Sequence, residues 1–153
     1  GHYIDMAHFL HGGLAESVLA RISSTLHGAA IEDYAMLSLA APSGKTAQIE
    51  TGYCFPDNPA LREYSFTVVS KSHYVRSRRA GVSVYRAGQD AAEEIDLDLN
   101  SNPLFGRFAE RVLSDFQEQK APVAGLADLE AVMRVIDAGY QAAECGAAVR
   151  TVV

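Results

Sequence analysis

Between Val18 and Leu99 the chain returns repeatedly to a two-residue alternation of apolar and polar side chains, with short links between the stretches. No other feature limits the fold as much. A parallel crossover needs roughly a dozen residues or more, so strands joined by short links pair antiparallel.

The alternation is clearest in residues 18 to 27, where Val18, Ala20, Ile22 and Leu26 oppose Arg21, Ser23, Thr25 and His27. Tyr34 to Ala41 is a second strand, and Pro42-Ser43-Gly44-Lys45 supplies the turn to a third, in which Ala47, Ile49, Tyr53 and Phe55 alternate with Gln48, Glu50 and Cys54. Pro56-Asp57-Asn58-Pro59 stops that strand, because proline offers the ladder no N–H. Further strands follow: Tyr64 to Val68, His73 to Arg78, Val82 to Arg86 after a turn at Ala80-Gly81, and Ile95 to Leu99.

The period then lengthens to that of a helix. Asn102-Pro103 reads as a cap and first helical position, and Phe105, Phe108, Val112 and Phe116 repeat on one face as far as Lys120-Ala121-Pro122. A second helix opens at Leu126 or Asp128, presents Leu129, Val132, Met133, Ile136, Tyr140 and Ala143, and closes at Cys145-Gly146. Val149 to Val153 return as a short strand. The expected class is α+β, an open, mostly antiparallel sheet with helices packed on one face. With 153 residues, 48% of them hydrophobic, and neither linker nor repeat, residues 1–153 read as a single domain.

Other features limit function. A net charge of −6 gives no reason to expect nucleic acid or an anionic membrane as partner. No window has the apolar length of a membrane span, and no secretory signal opens the chain, which points to the cytoplasm. Cys54 and Cys145 lack a CxxC context and read as buried, reduced thiols. The sheet face bearing Arg21, Ser23, Thr25, Gln48 and Glu50, with Leu37 and Leu39 as apolar candidates if the registers align, suits contact between subunits. Arg76, Arg78 and Arg79 read as a solvated strand edge in preference to a phosphate site.

The chemistry is placed at the start, in Gly1-His2-Tyr3-Ile4-Asp5-Met6-Ala7-His8-Phe9-Leu10-His11-Gly12-Gly13. Ile4, Ala7 and Leu10, or Met6, Phe9 and Leu10, fall at helical spacing, and Gly12-Gly13 ends a helix of about three turns. His2 and Asp5 share a face, so a carboxylate stands where it can orient an imidazole. One reading makes His2 a general acid/base; the other makes Asp5 a simple complement to the helix dipole. His2, Asp5, His8 and His11 do not suit a metal, because steps of three drift round the helix and cannot converge on one ion. His8, His11 and His27 are expected at the surface or partly buried.

His2-x-x-Asp5 with Phe9-Leu10 and Gly12, the strand run, the helix of Phe108 and Phe116, and Asp128-Leu129-x-x-Val132-x-x-Val135-Ile136-Asp137-Ala138 with Gly146 together resemble the C-terminal domain of the Gfo/Idh/MocA oxidoreductases. This family includes glucose-fructose oxidoreductase and inositol dehydrogenase. The resemblance implies a two-domain enzyme whose N-terminal Rossmann domain, absent from this chain, carries NAD or NADP and a catalytic lysine. It implies further that the present domain supplies an open sheet for homo-oligomer contacts and, at His2, the catalytic histidine that touches the hydroxyl of a sugar or cyclitol, with Asp5 at the acidic residue that follows it in the motif. Ser70-Lys71-Ser72-His73 departs from the glycine-containing turn of many members. Gly1-His2 is taken as native, although a purification-tag remnant would look the same, and the chain as a fragment expected to be inactive alone. The competing expectation is a noncatalytic module of the same architecture, serving association or ligand binding.

Overall fold

The computed structural model describes residues 1–54, 64–98 and 104–151. The expected breaker at 56–59, the cap at 102–103 and the last two residues of the final strand lie outside them. Two compact units emerge, one formed by Gly1–Asp57 with Ala121–Val153, the other by Asn58–Lys120.

In the first unit, helix α1 (His2–His11) leads into strands β1 (Ser17–Ser23), β2 (Tyr34–Ala40) and β3 (Thr46–Gly52), and the chain returns as helix α3 (Leu126–Cys145) and strand β8 (Val149–Arg150). The four strands form one antiparallel sheet in the order β3-β2-β1-β8. Its register sets Val18 opposite Leu39 and Ala20 opposite Leu37, with Ala47 and Ile49 respectively next in the two rows. Leu37 and Leu39 therefore belong to the core face, with Val18 and Ile49, and not to the outer face where they were candidates. Strand β1 stops at Ser23, whose Oγ accepts from the Thr25 N–H at 3.2 Å, while the His27 N–H turns to Asp33 Oδ2 at 2.8 Å. Side chains thus compete for the backbone groups that would extend the ladder.

Helix α3 covers the core face, but not with the stripe expected from its large side chains. Ala131, Val132, Val135, Ala138, Gly139 and Ala142 are buried, whereas Leu129, Met133 and Tyr140 are exposed. Small residues let the helix approach closely: a Cβ on Gly139 would stand 3.5 Å from Leu37 Cδ2 and 3.9 Å from Ala20 Cβ. Gly146, in the left-handed region at φ 69°, ends the helix and donates to the Ala142 carbonyl.

The second unit holds strands β4 (Thr67–Val69), β5 (His73–Arg78), β6 (Gly81–Arg86) and β7 (Glu93–Asp96), antiparallel in that order, and helix α2 (Leu104–Gln117). The α+β class holds, with the strands divided between two hydrogen-bonded sheets. Strand β5 lies inside its sheet, which removes the edge expected at Arg76 and Arg78. Arg78, Gly81 and Asp96 stand in one row across three strands. Gly81 has φ 143°, and a Cβ there would fall 2.0 Å from the Ile95 carbonyl oxygen. The missing side chain thus lets the backbone of β7 approach, and in the same row the Arg78 guanidinium pairs with Asp96 while its Nε lies 2.6 Å from Glu94. On α2, Phe105, Phe108, Val112 and Phe116 are exposed, and Asp115, which accepts from Arg111 Nε at 2.8 Å, is buried.

Candidate functional site

Helix α1 begins without a capping side chain: the Gly1 carbonyl accepts from the N–H groups of Ile4 and Asp5 at 3.0 and 3.2 Å. Gly1 sits beside α3, since a Cβ there would stand 3.6 Å from Val132 Cγ1. At the other end Gly12 adopts φ 67° and donates to Phe9, while Gly13 donates to His8. Lys45, from the turn between β2 and β3, places its ammonium 2.6 Å from the His11 carbonyl oxygen. A cation on the last carbonyls complements the helix dipole and ties α1 to the hairpin.

The inward stripe of α1 is Ile4, Ala7, His8 and His11, the i, i+3, i+4, i+7 positions of a helix lying on a core. Met6, Leu10 and, at 83% exposure, Phe9 face outward. The two histidines are thus buried where surface or partial exposure was expected, and large apolar residues take the outside. His8 lines a cleft of about 160 Å³ with Leu14, Ala15, Val135 and the ion-paired Glu130 and Arg134. Burial pushes the His8 imidazole below its ordinary value against the pull of Asp5, and His11 adds to the downward push. The unfilled ring positions are His8 Nε2 and His11 Nδ1, buried atoms without a hydrogen-bond partner among the described residues.

His2 and Asp5 are both exposed, in the first turn and a half of α1. Among the described residues no hydrogen bond or ion pair joins them; the charge of Asp5 acts instead on His8, one turn further on. Neither His2 nor Asp5 lines the cleft at His8. His27 is exposed and its Nε2 contacts the Tyr53 carbonyl. Cys54 and Cys145 are free and exposed, a correction to the expectation of buried thiols.

The N-terminal ends of α1 and α3 do not suit a dinucleotide pyrophosphate. The open end of α3 is taken, because the Gly125 N–H donates to Asp128 Oδ2 at 2.7 Å, and that carboxylate would repel a phosphate. The first turn of α1 likewise carries Asp5. Nor do three or more His, Cys, Asp or Glu side chains converge for a metal among the described residues, and no helix there is long and apolar enough to cross a membrane.

Residues 1–72 match the model of the GFO/IDH/MocA C-terminal domain, which bears out the resemblance seen in the sequence. No curated protein matches the chain. Among solved structures, levoglucosan dehydrogenase in complex with NADH and levoglucosan superposes with a TM-score of 0.83 at 17% identity, over 98% of this chain and 48% of its own. An oxidoreductase from Agrobacterium radiobacter, in complex with NAD+, L-tartaric acid and magnesium, gives 0.79 at 18%, over 98% and 47%. The aldose-aldose oxidoreductase of Caulobacter crescentus, complexed with glycerol, gives 0.75 at 22%, over 97% and 45%. At such identities the likeness is one of fold. The chain spans about half the length of these structures.

Proposed function

With residues 1–72 matching a GFO/IDH/MocA C-terminal domain, we propose that the chain is the substrate-side and oligomerisation domain of an NAD- or NADP-dependent oxidoreductase acting on a secondary alcohol of a sugar or cyclitol. The observation that carries this is the family match over residues 1–72, which includes α1 with His2 and Asp5, both exposed. The solved structures of like fold carry NADH with levoglucosan in one case and glycerol in another, which supports the substrate class.

Oxidation of a secondary alcohol removes a hydride from carbon and a proton from oxygen. A nicotinamide, when bound, would supply the hydride acceptor, and the residues of this chain are not the ones proposed to hold it. The proton is this chain's part. His2 accepts it from the hydroxyl at a ring nitrogen, and Asp5, one turn on, stabilises the imidazolium that results. Replacing His2 by Asn in the full-length enzyme tests the assignment: turnover falls by about 10²- to 10⁴-fold, the contribution of a positioned base, while cofactor affinity holds. Unchanged turnover would leave the noncatalytic reading.

The outer face of the first sheet, with Arg21, Met36, Gln48 and Glu50, is the proposed contact between copies of the chain. The Tyr34 hydroxyl donates to Glu50 at 2.8 Å there, which pushes its own ionisation up. A cytoplasmic setting accords with two exposed thiols left unpaired.

A further inference from the structure

We propose that His8 is a positioning residue for helix α1, and that a proton taken up by its buried ring, beside His11, unseats the helix that carries His2 and Asp5. Only the last step, from helix to chemistry, rests on the function proposed above. The pair occupies two of the four inward positions of α1, at 8% and 9% exposure, where a helix of this kind would ordinarily place aliphatic side chains. Each ring has a buried nitrogen with no partner among the described residues. A neutral imidazole tolerates this; an imidazolium, with a charge and two donors to satisfy, does not.

The groups around the pair are mixed in sign. Asp5 favours the charged ring of His8, as does the C-terminal end of the helix dipole. Against them stand His11 on the same face, the Lys45 ammonium at the His11 carbonyl, and Arg134 of α3 on the cleft at His8. Glu130 lines that cleft too, but its Oε1 accepts from Arg134 at 2.7 Å. The acidic residue of β3, Glu50, alternates to the outer face of the sheet and bonds Tyr34. Burial decides the balance and holds His8 below 6.5.

The sign follows from linkage. Above 6.5 the ring is neutral both folded and unfolded and contributes nothing to the pH dependence. As the pH falls below that value the unfolded chain takes a proton that the folded ring resists. Stability is therefore lost progressively until the pH passes the folded value.

Proton NMR of the histidine rings, read together with amide exchange along α1, tests the proposal on the chain as it stands. His8 titrates with a midpoint below 6.5, and the opening of the Ala7 and His8 amides, corrected for intrinsic exchange, rises by up to about tenfold per pH unit across that window. The amides of β6 serve as the control and do not follow. In His8→Gln, which keeps a polar side chain and cannot titrate, the acid dependence of α1 opening disappears. A midpoint at or above 6.5, or α1 exchange that ignores the titration, overturns the proposal, and both are read without the Gln variant should it not fold. His2→Asn leaves exchange and titration as they are, so a failure of the catalytic reading is told apart from a failure of this one.

Discussion

Gly139 offers a test in which one position gives opposite signs for two substitutions. It lies in the middle of α3, facing the sheet, and an added Cβ would meet Leu37 Cδ2 at 3.5 Å and Ala20 Cβ at 3.9 Å. Both are ordinary contact distances, so Ala fits without displacement. A helix-interior glycine costs roughly 0.8–1 kcal/mol relative to alanine, and Gly139→Ala should recover most of it. The further atoms of Leu have no room between α3 and the sheet, and overpacking of a filled core typically costs about 1–3 kcal/mol, more than the propensity gain. Urea unfolding measures both: the midpoint rises for Gly139→Ala and falls for Gly139→Leu, with unchanged slope. A neutral or stabilising Leu would refute the close approach of α3 to β1 and β2. A clearly destabilising Ala would place the helix closer than these distances allow.

Three further outcomes are expected. Calorimetric titration of the isolated chain with NADH shows no saturable binding in the micromolar range, because Asp128 occupies the open N–H of α3 and no glycine-rich phosphate turn is present among the described residues; micromolar binding would overturn the division of labour between domains. Sedimentation shows association beyond the monomer, and Met36→Lys, which sets a charge between Arg21 and Glu50 on the outer sheet face, weakens it; a monomer at all concentrations counts against that interface. In the full-length enzyme Asp5→Asn lowers turnover less than His2→Asn does, since it removes only a nearby charge and leaves the proton-accepting ring in place; equal losses would show that Asp5 acts on more than the imidazolium.

The sequence conveyed the elements better than their faces. Gly12 and Gly146 end their helices in the left-handed conformation that glycine permits, and β2 and β5 occupy nearly the residues their alternation marks. The buried face of α3 was misread because a search for large apolar residues passes over Ala131, Ala138, Gly139 and Ala142, the residues that close packing selects. Helix α1 misleads in the same way: two histidines fill inward positions, and Phe9 points to the outside. A polar residue at i+4 and i+7 of an apolar pair was the available signal, and it competes with the more usual assignment of histidine to the surface. The Arg78 pairings depend on a register across β5, β6 and β7 that strand periodicity leaves open. Spacing alone put His2 and Asp5 on one face, while the influence of Asp5 on His8 required the buried environment of that ring.

The claim that His2 takes the hydroxyl proton is tested most directly by the pH dependence of alcohol oxidation in the full-length enzyme, measured for the unsubstituted protein and for His2→Asn. If His2 is that base, kcat/KM of the unsubstituted enzyme falls on the acid side, and the Asn variant, slower by about 10²- to 10⁴-fold, loses that limb. A variant that keeps both the rate and the acid limb of the parent would contradict it and place the base elsewhere in the enzyme.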